Sequence, residues 1–260
     1  MKISEYRFYR WFAPWLYFTG LLVTVEFIVR ISDIPEYLLP APSVVIVEIY
    51  TKFWTILAHL AVTFTEAFIG FLGGNICAIF FGFIFSHWKP ARQGFYPIII
   101  GMQAVPVIAI APFILIWFGS GIIGKAIMAG LICYFPATVT STDGFSKLNR
   151  DGLLLLQSMG ASQWRIFISL RLPSAIPGIM SALQVSASLC TIGAIVAELA
   201  GASKGVGYLI VMASYEFKTP TLFAVLSLTS FATIFFFKAI QLIGNKYARK
   251  YSFSYSVPVD

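Results

Sequence analysis

Five ionisable side chains stand inside or beside long apolar runs: Glu26, Glu66, Lys125, Glu198 and Lys238. A charge in such surroundings is costly and marks either a functional path or an internal partner. Lys125 and Lys238 are expected to snorkel, laying their stems on apolar surface with the ammonium in water. Glu26 lies near the end of its run and is expected to be solvated. Glu66, in TFTEAFIGF, and Glu198, in AIVAELAG, stay open between lining a pathway and a hydrogen-bonded packing role.

Catalytic chemistry is harder to find. The two histidines, His59 and His87, stand at opposite ends of one run, and neither H-E-x-x-H nor G-x-S-x-G occurs. GSGIIGKA, from Gly119 to Ala126, fits G-x-x-x-x-G-K. A phosphate-binding loop next needs Ser or Thr to hold magnesium, and Ala126 cannot do that, so the match reads as chance in a Gly-rich turn. Cys77, Cys133 and Cys190 all lie in apolar runs without a C-x-x-C pair, which suits small buried thiols better than redox or metal work. No metal site is expected.

These residues must be positioned by membrane helices. Of 260 residues, 58% are hydrophobic and 11% charged, and the mean hydropathy is +0.84. A soluble domain carries about 25% charged residues. Runs of about 20 apolar residues predict six spans, roughly 11–29, 56–85, 94–118, 121–141, 178–199 and 221–244, in one domain over 1–260. The first is too long for a signal peptide core and ends in VRISDIP without a cleavage pattern. Of the 18 Lys and Arg residues, only Arg30, Lys52, Lys125, Lys204 and Lys218 fall outside if the N-terminus is inside. The basic bias therefore puts both termini in the cytoplasm. The net charge of +7 is a topology signal, and a nucleic-acid role is not expected.

Two features interrupt the spans. The third, GMQAVPVIAIAPFILIWFG, carries Pro106 and Pro112, each of which removes a backbone donor and kinks a helix. Gly70 and Gly74 in the second span, and Gly178, Ala182, Ser186, Cys190 and Ala194 in the fifth, recur every four residues. That spacing lets helices approach closely.

The segment 142–177 is polar and basic. Asp151–Met159 is predicted to form a short helix stopped by a left-handed Gly160, and Ser162 to cap a second helix, Gln163–Leu170, ending before Pro173 and Pro177. The second helix is expected to gather Trp164, Phe167 and Ile168 on one face. Such an amphipathic helix could lie among headgroups or dock in another protein's groove.

GASQWRIFISLRLPSAIPGI resembles the cytoplasmic signature of ABC importer permeases: E-A-A, three residues, Gly, nine residues, Ile, any residue, Leu-Pro. Gly160 stands for the glycine, Leu170 for the isoleucine, and Leu172-Pro173 for the closing pair. LPAPSVV, AVPVIAIAPFILIWFGSGIIGK and GAIVAELAGASKGVGYLI are similar to the branch importing nitrate, sulfonates, taurine and thiamine-precursor pyrimidines. The resemblance implies an all-α integral membrane fold, a six-transmembrane-helix bundle of the type I importer kind, with a cytoplasmic coupling helix between helices 4 and 5. It implies a multi-pass subunit of a bacterial inner membrane, paired with a second copy as a homodimer, two cytoplasmic ATPases that hold the ATP and magnesium, and an extracytoplasmic solute-binding protein. The chain itself would bind no cofactor and catalyse nothing.

The implied ATPase contact is Gly160, Ala161, Ser162, Gln163, Trp164, Arg165, Phe167, Leu172 and Pro173, and a possible substrate path runs by Glu66, Gln103, Pro106, Trp117 and Glu198. Leu154-Leu155-Leu156 occupies the place of E-A-A, which leaves three explanations: a diverged branch, weakened coupling or, favoured here, a compensated partner whose groove is more apolar. TFTEAFIGF and GAIVAELAG look closer to thiamine-precursor and riboflavin-like members, with nitrate, sulfonate or taurine as the alternative. A secondary carrier would show coupled acids and internal repeats, and an intramembrane enzyme a nucleophile or metal cluster; neither pattern is present.

Overall fold

The chain is described from a computed structural model that covers residues 3–147 and 150–252, with side chains from 12 to 246. Leu148 and Asn149 of the insert, Lys2, and the side chains of Arg7, Arg10, Arg249 and Lys250, which entered the orientation argument, lie outside the described residues. Ten α-helices follow in order: α1 (Ile3–Ile31), α2 (Pro42–His87), α3 (Lys89–Met102), α4 (Val107–Phe118), α5 (Ile122–Ser146), α6 (Arg150–Ser158), α7 (Gln163–Ile166), α8 (Leu172–Leu199), α9 (Val206–Tyr215) and α10 (Thr219–Ser252). Five helical stretches are long and apolar enough to cross a membrane, and the bent α3–α4 pair makes a sixth.

The centre of the bundle is α2, α5 and α8, with α10 and α9 against α8 and α2, and α4 across α5 and α8. Small side chains make this contact possible. A Cβ on Gly70 would stand 2.5 Å from the Ala126 carbonyl, and one on Gly74 2.5 Å from the Gly130 carbonyl. On α8, Ala182, Ser186, Cys190 and Ala194 are all buried, as their four-residue spacing predicts. Cys190 and Ala194 pack with Ala67 and Phe71 of α2 and Ala129 and Cys133 of α5, and Ala182 packs with Ala78 of α2 and Ala137 of α5. Without a solvent drive between helices in lipid, such close packing and interhelical hydrogen bonds hold the bundle. Asn75 contributes one, accepting from the buried Ser186 hydroxyl at 2.9 Å.

Three span expectations change. The second span is the C-terminal part of a 46-residue helix, about 70 Å long at 1.5 Å per residue. That is roughly twice a hydrocarbon core, so α2 projects beyond the membrane. The third span is not one kinked helix: α3 and α4 meet at 102°. The break falls at Gln103–Pro106 because Pro106 can only begin the next helix, whereas Pro112 is accommodated inside α4.

The fifth span reaches back to Gln163, giving one stretch of 37 residues. The predicted stop before Pro173 does not occur, because a π-helical turn, Phe167–Arg171, carries the chain into α8 with Pro173 in its first turn. There a missing N–H costs no hydrogen bond. In the insert Ile166 and Leu170 are buried against the bundle, while Trp164 and Ile168 are exposed and Trp164 stacks on Phe167.

Candidate functional site

Polar groups inside the bundle gather around the start of α9. Three consecutive N–H groups there each find a side chain on α2 or α8. Gly205 donates to His59 Nδ1 at 3.0 Å, Val206 to Thr63 Oγ1 at 2.8 Å, and Gly207 to Glu198 Oε2 at 2.7 Å. The Thr63 hydroxyl in turn donates to Glu198 Oε1 at 2.7 Å. His59 and Thr63 are one helical turn apart, so they face the same way. Gly205 has φ +110°, and a Cβ there would collide with the Glu198 carboxylate. A carboxylate against the first N–H groups of a helix satisfies donors that have no partner within it.

Beside this clasp, Lys125 of α5 donates to Glu66 Oε1 of α2 at 2.9 Å, with side-chain exposures of 6% and 0%. Lys125 does not snorkel; the close approach of α2 and α5 at Gly70 places an acid within reach. Glu26 is likewise engaged, accepting from the Ser43 N–H at 2.9 Å and pairing with Arg30 at 2.5 Å, which ties α1 to the start of α2. Lys238 is exposed and donates to Gln241 at 3.1 Å, as a snorkelling lysine would.

The five residues expected along a path are therefore divided. Glu66 and Glu198 are 0% and 1% exposed and serve the interior. Gln103 and Pro106, at the α3–α4 break, and Trp117, on α4, lie on the open face of the chain. Unwound backbone at membrane depth is tolerated where it faces protein or a water-filled cavity. His59, Thr63, Gly205 and Gly207 were not singled out from the sequence; the His59/Thr63 spacing ahead of a distant Gly-x-Gly was the only signal.

At the other end of the bundle α6 and α7 form a hairpin. Gly160 has φ +69°, and Gly160 and Ala161 donate to the Gln157 and Leu156 carbonyls at 3.0 Å, closing α6 as predicted. The Ser162 hydroxyl accepts from Arg165 N–H at 3.3 Å and caps α7. Among the described residues α6 buries no side chain, and Leu154, Leu155 and Met159 are 61%, 62% and 72% exposed. Gln163, Trp164 and Arg165 are exposed, Phe167 is partly buried, and Leu172 and Pro173 open α8.

Comparison with known proteins adds four findings. Residues 70–250 match the family model described as binding-protein-dependent transport system inner membrane component. The chain is 32% identical over 217 residues to a probable ABC transporter permease protein of Haemophilus influenzae, covering 84% of this chain and 89% of the other. It is 32% identical over 243 residues to the formylaminopyrimidine transport permease protein ThiX of Halalkalibacterium halodurans, covering 92% and 96%. In fold it resembles a chain of the MetNI methionine ABC transporter in an inward-facing conformation, with a TM-score of 0.64 over 77% of this chain and 98% of that one at 16% identity.

Proposed function

Since the chain belongs to the family of binding-protein-dependent transport inner membrane components, we propose that it is the pathway subunit of an importer for a neutral, flat heterocycle of the pyrimidine class. As an ABC permease it is a multi-pass membrane transport subunit and leaves ATP hydrolysis to a separate ATPase. Two copies enclose the path between them. The open flank of α1, whose apolar window is only 6% buried within one chain, supports this.

The observation that carries the coupling mechanism is the α6–α7 hairpin. Three large apolar side chains, Leu154, Leu155 and Met159, project on a helix that packs on little else, while α7 runs without interruption into α8. An ATPase groove that closes around α6 would tilt α8 as a lever, and α8 ends in the Glu198 clasp at the far side. The docking surface thus centres on α6 and the Gly160–Gln163 turn. Arg165 flanks that turn, which includes Ala161 and Ser162, and Phe167, Leu172 and Pro173 transmit rather than contact. An extracytoplasmic binding protein delivers substrate over the α9 end.

For the substrate, the Gln103 amide at the α3–α4 break offers both a donor and an acceptor, which suits a heterocycle. Lys125 is already paired with Glu66, so it is not available to a nitrate or sulfonate. The formylaminopyrimidine relative points the same way.

The test is co-purification from detergent with the ATPase of the same transporter. Leu154→Glu with Leu155→Glu is expected to reduce ATPase recovery at least tenfold while the membrane subunit stays monodisperse. Gly160→Val, which forces a β-branched residue into left-handed backbone, is expected to do the same. Undiminished recovery with both variants would place the contact elsewhere.

A further inference from the structure

The geometry points to a second binding site, for the headgroup of an anionic phospholipid, between the end of α2 and the π-helical turn. A cavity of about 240 Å³ there is lined by Phe83, His87, Gln163, Trp164, Phe167 and Arg171. Its floor is aromatic. Phe83 and Phe167 meet edge to face at 5.1 Å, and Trp164 stacks on Phe167 at 5.7 Å. Its rim is a ring of donors without partners. Among the described residues the Arg171 guanidinium forms no ion pair, and neither the Gln163 amide nor the Trp164 indole N–H makes a hydrogen bond. His87 donates Nδ1–H to the Phe83 carbonyl at 3.0 Å, so its Nε2 is an acceptor in the neutral ring and donates to an anion only when the ring is protonated.

Three donor side chains around one bowl, Gln163, Trp164 and Arg171, describe a site for an anion with several acceptor oxygens. A phosphate group has that chemistry, and arginine is the side chain best matched to it. What selects a lipid over free phosphate is the surface leading away from the bowl. Ile76, Phe80, Phe83 and His87 lie along one stripe of α2, and Ile76 and Phe80 are 67% and 59% exposed. The stripe runs from the bowl towards the middle of the span, where an acyl chain would lie. Lys89 and Arg92, both exposed at the start of α3, add positive charge at the same end. Basic pockets between membrane helices on the cytoplasmic side hold such headgroups. The site shares Gln163 and Phe167 with the proposed docking region, and lipid retention is read on the subunit without the ATPase, so the two readings fail separately.

Native mass spectrometry of the detergent-purified subunit, titrated with phosphatidylglycerol or phosphatidylcholine, tests it. The wild type is expected to retain phosphatidylglycerol in preference. Arg171→Gln is expected to lower that retention about fivefold, the effect of one cation on an anionic headgroup, with the thermal midpoint unchanged. Phe80→Ala should lower retention of the lipid, and millimolar inorganic phosphate should leave it unaffected. Equal retention of the two lipids by the wild type, or no response to Arg171→Gln, would overturn the site. Displacement by inorganic phosphate together with indifference to Phe80→Ala would overturn the lipid assignment in favour of a soluble phosphate.

Discussion

A lysine in a membrane helix keeps its charge by reaching water along its stem or by meeting a carboxylate inside. Lys125 takes the second course because Glu66, 59 residues earlier, stands opposite it at 2.9 Å. Nothing local to either residue decides this; the approach of α2 and α5 at Gly70 does. Removing one partner leaves the other buried and uncompensated. Lys125→Ala is thus expected to lower stability by about 3–5 kcal/mol, read as a fall in the thermal midpoint of the detergent-solubilised subunit. The double variant Glu66→Leu/Lys125→Met should regain most of that loss, since an apolar pair needs no desolvation. A double variant no better than the single would show that the two side chains do not act as a pair. Their ionisable character was legible in the sequence, and their use as an internal brace was not.

At the level of elements, the sequence shows most clearly those features enforced over a few residues. The left-handed stop at Gly160, the Ser162 cap and the four-residue stripe of α8 all appear where their spacing puts them. Proline positions were less decisive. Pro173 enters a first turn and Pro112 sits within α4, while Pro106 starts a helix after a 102° break. Which proline breaks a span depends on where neighbouring helices leave room for freed carbonyls, and no local motif records that.

The break has a measurable consequence. In a background with Cys77→Ala, a cysteine replacing Gln103 is expected to react with a water-soluble maleimide and to be protected by transported substrate. Ala111, on α4 and 0% exposed, is the control: Ala111→Cys should stay unreactive. Equal, substrate-insensitive labelling at both positions would mean that the break does not face the path.

Over the whole molecule, charge and topology act together. Six crossings put both chain ends on the side of the α6–α7 hairpin, whichever way the bundle is inserted. The hairpin end carries Lys89, Arg92, Lys147, Arg150, Arg165 and Arg171, whereas the α9 end carries Lys52, Lys204 and Lys218 beside Glu48 and Glu216. Because positive segments resist translocation, we propose that the hairpin and the C-terminal part of α10 face inside. A cysteine at Ser203 is therefore expected to be labelled by an impermeant reagent in spheroplasts. Cysteines at Ser158 and Lys246 should be labelled only after permeabilisation. On the proposed reading, the same asymmetry puts the ATPase at α6 and the binding protein over α9, at opposite ends of one lever. Labelling of Ser158→Cys on intact spheroplasts would place the hairpin outside, beyond the reach of any ATPase, and the lever would have nothing to drive it.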